Sequence, residues 1–267
     1  MPREITSYSN ATVKLLRSLR DKKARREERL FLAEGLRIVT EARDEGQLPQ
    51  ILAFAEAGAA HPLAQEIIAA TEAAGGDTIL THPDILTKIS GKSNPQALVA
   101  AYAQPDTSLA RIDRTTSDLW FVGQSLRDPG NVGTILRTGD AVGAGGLILL
   151  DDHVDPFAVE TVRASMGAMF TQSLAQATWD EFIAWLRDGP GQLVGTSLQT
   201  DHDYLDAPYE APCFLLVGNE AQGLPKAYEA ACDLLVKIPM HGRADSLNAA
   251  VAAAVTAYQV RASWRNR

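Results

Sequence analysis

Residues 213–225 read CFLLVGNEAQGLP, five apolar residues from Cys213 to Val217 that run straight into a turn punctuated by Gly218, Asn219 and Gly223. An unbroken apolar run of this length suits a strand covered on both faces, as in a parallel sheet. A glycine-bearing turn at the carboxyl end of such a strand is where open α/β sheets bind ligands. The same arrangement recurs on either side. Upstream, the strand Leu119–Val122 leads to DPGNVGTILR at 128–137 and a helix from about Val132 to Val142. Downstream, the strand Leu234–Ile238 leads to IPMHGRADSLN at 238–248 and a last helix expected from Ser246 to about Trp264. One such turn would be only a tight turn. Three of them, each closing a strand, point to one shared site.

Between these turns, Gly146–Leu150 (GLILL) and Leu193–Thr196 read as further strands, and Pro156–Ala168 and Trp179–Arg187 as helices. The last helix, SLNAAVAAAVTAYQVRASW, is apolar nearly all round for its first three turns, which fits either a deep core helix or a subunit interface.

The first hundred residues alternate in a similar way. Asn10 is placed to cap a helix with Val13, Leu16 and Leu19 on its apolar face, and Leu30–Ala33 reads as a strand. A helix carrying Leu36, Val39 and Ala42, a strand Ile51–Ala55 and a helix Leu63–Ala74 ending at Gly75-Gly76 follow. A strand Thr78–Leu80, a helix from Pro83 and a strand Leu98–Ala103 complete this unit. Residues 104–117 (QPDTSLARIDRTTS) lack apolar periodicity and are rich in Ser, Thr, Asp and Pro, which places a linker at 105–116. The expected division is a smaller α/β unit at 1–104 and a larger α/β domain with a parallel sheet at 117–267.

With 46% hydrophobic and 22% charged residues in 267, the chain has the composition of a folded globular protein. Its two cysteines, Cys213 and Cys232, are too few for a disulfide framework, and no Cys/His spacing suits zinc. Met-Pro-Arg-Glu leads into polar residues without a signal-peptide core, and no apolar run approaches a membrane span. Cytoplasm is the expected location, with no membrane and no metal. The net charge of −8 is uneven: residues 1–37 hold ten Lys/Arg against five acids, a net +5, which leaves −13 for the rest. The basic segment fits either a solvated helix face or a surface that contacts phosphates.

The turns match no common nucleotide loop. Gly130 and Gly133 lack the spacing and trailing Lys-Ser/Thr of a P-loop, and the glycines at 143, 145 and 146 precede a strand instead of joining a strand to a helix. There is no G-x-S-x-G elbow, and the five histidines are scattered. Phosphoryl transfer, hydride transfer, metal hydrolysis and serine-triad hydrolysis all lose ground.

The ordered set Asn131-x-Gly133-x3-Arg137, Gly218-Asn-Glu220-x2-Gly223-Leu224, and Ile238-Pro-Met240 with Ser246-Leu-Asn248 resembles the three signature motifs of the SpoU (TrmH) group. These are RNA ribose 2′-O-methyltransferases of the SPOUT superfamily. The segment Phe31-Leu-Ala-Glu34-Gly35 before a helix is similar to the L30e-like substrate-binding domain that many members carry. The resemblance implies a catalytic domain with a deep trefoil knot, homodimerisation, and S-adenosylmethionine bound between the knotted loops mainly through main-chain groups. Thr196, Val217, Gly218, Ile238, Met240 and Leu247 are the implied cofactor-binding residues, with Gly218 admitting a close backbone approach. Asn131, Arg137, Glu220, Ser246 and Asn248 are the implied catalytic set.

A ribose 2′-hydroxyl is a weak acid, so its methylation needs a proton acceptor or a strong positive field beside the developing alkoxide. The resemblance gives this task to Arg137, which orients and stabilises the nucleophilic oxygen and an adjacent phosphate. Asn131 either shapes its loop or bonds substrate, Glu220 is placed to pair with a cation such as Arg137, and Ser246 either caps the last helix or acts in the site. Arg163 and Ser165, in RASMGA, are weaker leads to the substrate side. The expected partner is structured RNA, with ribosomal RNA favoured over transfer RNA. Two alternatives stand beside this reading: a catalytically silent RNA-binding or assembly factor of the same fold, and a methyltransferase acting on a base nitrogen.

Overall fold

The structure, a computed structural model, describes residues 1–92, 96–219 and 222–265. It divides into two compact units, Met1–Pro105 with Asp155–Thr171, and Asp106–Val154 with Gln172–Arg267.

The first unit runs β1 (Arg3–Ile5), α1 (Ala11–Ser18), α2 (Lys22–Glu28), β2 (Leu30–Glu34), α3 (Leu36–Asp44), β3 (Ile51–Phe54), α4 (Glu56–Ala59), α5 (Pro62–Ala73), β4 (Asp77–Thr81), α6 (Pro83–Ser90) and β5 (Leu98–Ala103). Its five-stranded sheet has the order β1-β4-β3-β5-β2, with β1, β4 and β3 parallel and β5 antiparallel to both its neighbours. The Asn10 side chain caps α1, accepting from the Thr12 amide at 2.8 Å. His61 and His82 cap α5 and α6 in the same way, each followed by a proline at the first helical position. Two of the five scattered histidines therefore have structural work at helix starts.

One segment departs from the contiguous division read from sequence. Residues 155–171, carrying α8 (Val159–Ser165) and α9 (Ala168–Thr171), group with the first unit. The cause is ionic as well as apolar. Arg25, only 4% exposed, donates to Asp155 through Nε and Nη2 at 2.9 and 2.6 Å and to the Leu19 and Arg20 carbonyls through Nη1. Arg163 pairs with the buried Glu34 at 2.8 Å, and the Ser165 hydroxyl donates to the Val162 carbonyl. Arg163 and Ser165 are thus engaged inside this unit, and Arg25 is withdrawn from the basic surface. Breaking a buried pair leaves an uncompensated charge, at a cost of about 3–5 kcal/mol. Arg25→Ala is expected to destabilise this unit by that amount, read as a lowered denaturant midpoint, whereas Arg26→Ala, at an exposed position, should leave it unchanged.

The second unit runs β6 (Leu119–Gln124), α7 (Pro129–Val142), β7 (Gly146–Leu150), β8 (Ser173–Ala177), α10 (Trp179–Arg187), β9 (Gln192–Thr196), β10 (Cys213–Val217), α11 (Lys226–Ala231), β11 (Leu234–Val236) and α12 (Ala249–Trp264). All six strands are parallel, in the order β11-β9-β10-β6-β7-β8. Every residue of β6, β7 and β10 is buried, as their apolar runs require. Trp120, Phe182, Leu193 and Phe214 form part of the core on one face. The chain winds outward from β6 through β7 to β8, crosses to β9, then returns to lay β10 between β9 and β6. That reversal sets a crevice at the carboxyl ends of β9, β10 and β6.

The last helix begins later than the sequence implied. Asn248, not Ser246, is its cap: Asn248 Oδ1 accepts from the Ala250 and Val251 amides at 2.9 and 3.3 Å, while the Ser246 hydroxyl lies 3.4 Å from Asp245. Asn is as good a cap as Ser, and placing it here leaves residues 238–247 free as loop. Ala250, Ala253, Ala257 and Val260 bury one face of α12, while Val251 and Tyr258 stand exposed on another.

Candidate active site

The crevice at the ends of β9, β10 and β6 is a cleft of about 1040 Å³, at the upper end of the range for small-molecule sites. Three walls meet there. Thr196 to Gln199 continue from β9, Val217 to Asn219 and Gln222 to Lys226 from β10, and Gln124, Ser125 and Arg127 from β6. Ile238, Met240 and Asp245 to Leu247 close it from the segment before α12.

All six implied cofactor residues, Thr196, Val217, Gly218, Ile238, Met240 and Leu247, line this cleft, as does Ser246. Gly218 has a different reason to be glycine from the one the sequence suggested. A Cβ there would stand 2.4 Å from the Gly223 carbonyl carbon and 2.6 Å from the Leu224 nitrogen. The main chain that approaches Gly218 is therefore the chain's own turn, folded back on itself and tied by the Gly223 amide to the Asn219 carbonyl at 2.9 Å. Gly223 has the separate task of φ = +67°, with open space around it. Together the two glycines narrow the turn and set one lip of the cleft.

Neither Asn131 nor Asn248 is among the residues that line the cleft, and they bond to each other, Asn248 Nδ2 donating to Asn131 Oδ1 at 2.8 Å. Asn131 is buried in the first turn of α7, its amide donating to the capping Asp128 carboxylate at 2.8 Å. One amide pair thus stitches the start of α7 to the start of α12. Arg137 lies about one and a half turns further along α7, is exposed, and is not among the residues that line the cleft. Glu220 lies outside the described residues.

The site also includes residues that sequence reading missed. Ser125 holds φ = +48°, a conformation that costs energy for a side-chain-bearing residue. It is pinned by the Asn219 amide, which donates to its carbonyl at 2.8 Å, and by Gln124, which donates to its hydroxyl at 2.7 Å. Glu229 of α11 lines the opposite wall and accepts a short hydrogen bond from the Ser197 hydroxyl. Tyr228, one residue earlier, donates to Asp151 at 2.8 Å and stacks on Trp179 with centroids 3.7 Å apart, which anchors that helix. Ser125 follows the strand end so closely that its φ is the only mark of it, and sequence carries no sign of φ. The cysteines take no part: burial pushes both thiols up to about 12, so neither is a thiolate near neutrality. Among the described residues no group of three or more His, Cys, Asp or Glu is placed to hold a metal, and no helix is long and apolar enough to cross a membrane.

A parallel sheet with a cleft at its switch point, lined by apolar and polar residues in equal share, is the plan of an α/β enzyme domain that binds a nucleotide-like small molecule. Comparison with known proteins narrows the class. The SpoU rRNA Methylase family profile matches residues 118–258, and that of an MRM3-like substrate binding domain matches residues 10–100. A 23S rRNA (guanosine(2553)-2′-O)-methyltransferase of Bacillus subtilis is 30% identical over 97% of this chain and 99% of its own. A 23S rRNA (uridine(2479)-2′-O)-methyltransferase of Streptomyces viridochromogenes is 33% identical over 90% of this chain and 84% of its own. The crystal structure of an AdoMet-bound rRNA methyltransferase from Sinorhizobium meliloti superposes with a TM-score of 0.91 at 38% identity, covering 98% of both chains. The chain belongs to the SpoU rRNA methylase family and joins a SpoU methyltransferase domain to an MRM3-like substrate-binding domain.

Proposed function

We propose that the protein transfers a methyl group from S-adenosylmethionine to a ribose 2′-hydroxyl of ribosomal RNA, as a cytoplasmic homodimer. The observation that carries this reading is that two of the motif loops, after β10 and before α12, meet the end of β6 at one cleft, in a family whose relatives bear 2′-O-methyltransferase names. The lining suits the cofactor. Ile238, Met240 and Leu247 offer apolar surface and peptide groups to a purine, while Thr196, Ser197 and Glu229 offer acceptors for ribose hydroxyls.

The bound cofactor supplies an electrophilic methyl, and the chain must place and polarise the acceptor. Asn131 and Asn248 keep the starts of α7 and α12 in register, so that the loops on both sides of the acceptor hold their shape. Arg137 supplies the positive field for the oxygen that loses its proton. Because Arg137 stands outside the cleft of its own protomer, its role belongs to a cleft completed by a second copy, packed on the α12 face that exposes Val251 and Tyr258. The knotted passage of the C-terminal segment is part of the same reading. Mapping 2′-O-methyl groups across total RNA, with and without the gene, tests the reading; it stands if a ribosomal site is lost and falls if the map is unchanged. Calorimetry with S-adenosylmethionine separates a silent binding factor from an enzyme.

The first unit supplies RNA affinity through Lys14, Arg17, Arg20, Lys22 and Arg26, all exposed along α1, α2 and the turn between them. Charge reversal of Lys22 and Arg26 together is expected to lower RNA affinity and reduce the slope of log affinity against log salt by about 2. An unchanged slope in a filter-binding titration removes this surface from the account.

A further inference from the structure

We propose that Arg127 is a substrate-binding residue whose guanidinium grips an RNA phosphate next to the acceptor ribose, exchanging Asp152 for that phosphate. The inference rests on the proposed RNA methyl transfer and adds a residue outside the three motifs. Arg127 lines the cleft, on the wall that continues from β6. Its loop is built to hold it still. Before it, Ser125 is fixed by the Asn219 and Gln124 side chains, and its amide donates to the Leu150 carbonyl at 3.1 Å. Leu126 is fully buried, and its carbonyl accepts from the Val154 amide at 2.9 Å. After it, Asp128 caps α7. These anchors fix where the Arg127 side chain leaves the backbone, at a position that lines the cleft.

Its partner, Asp152, is 79% exposed and Arg127 itself 58%, with Nη1 donating to the carboxylate at 2.7 Å. An ion pair so open to water contributes little to stability, so a competing anion displaces it readily. Asp152 is met through Nη1 alone, whereas a phosphate can take two N–H groups of the guanidinium fork and carries more charge. Among the described residues, the other charges of the cleft sort by wall. Glu229 is held by Ser197 on the β9 side, two strands away, and Asp245 lies beside Ser246 on the loop before α12. Lys226, from α11, is the second cation of the lining.

The test uses the full-length protein, S-adenosylmethionine, and 23S ribosomal RNA purified from cells lacking the gene. Arg127→Ala is expected to raise the KM for RNA about tenfold and to lower the salt slope of RNA binding by about 1, with kcat and cofactor affinity within about twofold of wild type. Arg127→Lys should keep the salt slope and lose part of the affinity. Asp152→Asn, which frees the guanidinium, is expected to lower the RNA KM by about two- to fivefold. Unchanged RNA KM and slope in Arg127→Ala overturn the proposal, and so does an equal loss of cofactor affinity. No gain in Asp152→Asn overturns the exchange. A wild-type protein that methylates no ribosomal RNA sinks the parent reading instead, so the two failures are distinguishable.

Discussion

Gly218→Val is expected to remove S-adenosylmethionine binding while leaving the fold intact. The valine Cβ alone would enter the space of the Gly223 carbonyl carbon and the Leu224 nitrogen, at 2.4 and 2.6 Å. Backbone atoms cannot swing aside as a flexible side chain can, so the turn 218–224 must open. Its lip shapes the cleft, and Gly218, Gly223 and Leu224 all line it. Forcing extra atoms into a packed site costs about 1–3 kcal/mol, and the turn meets that cost by giving up the shape that the cleft needs. The sheet beneath is untouched: β10 ends at Val217, and its five residues are buried between β9 and β6. Calorimetry on Gly218→Val should therefore show little or no binding heat at concentrations that saturate wild type, with an unfolding midpoint within a few degrees. Gly223→Ala is the informative comparison. It faces open space but holds φ = +67°, so it should bind more weakly through strain, without the clash. Normal affinity in Gly218→Val would separate this turn from the cofactor altogether.

How far the sequence reaches is visible in these residues. GLILL and CFLLV coincide with β7 and β10 because a strand buried on both faces must be apolar throughout. Arg3–Ile5 and Ser173–Ala177 escaped notice because both are edge strands of their sheets, short and partly exposed, with no run of apolar residues to mark them. The helix expected over Pro156–Ala168 breaks into α8 and α9 at Met166, which takes a left-handed φ of +53°, and Gly167. The grouping of that segment depends on pairs 130 and 129 residues apart, Arg25 with Asp155 and Glu34 with Arg163, and no local pattern announces contacts at such distance. At the site, the three loops were legible because glycine and asparagine mark turns at strand ends. Why Gly218 must be glycine was not, since only the folded turn brings Gly223 against it.

Arg137→Ala is expected to lower kcat by about 10²–10³-fold while cofactor affinity stays near wild type, as removal of a group that acts only on developing charge should. The exposed position of Arg137 on α7 makes the direction of its action testable on the proposed dimer. Each protomer carries one cleft and one Arg137. An Arg137→Ala protomer keeps a sound cleft and lacks the guanidinium; a Gly218→Val protomer has lost its cleft and keeps the guanidinium. If Arg137 serves the partner's cleft, a mixed dimer of the two variants regains one working site from two inactive parents. If it serves its own, no mixture recovers activity, because every sound cleft lacks its arginine. Co-expression with two affinity tags isolates the mixed species, and its methyl transfer to ribosomal RNA should approach half that of wild type. A mixed dimer as inactive as its parents returns Arg137 to its own protomer and requires α7 to move before the guanidinium can reach the acceptor. Dissociated monomers that remain active alone would remove the second copy from the mechanism.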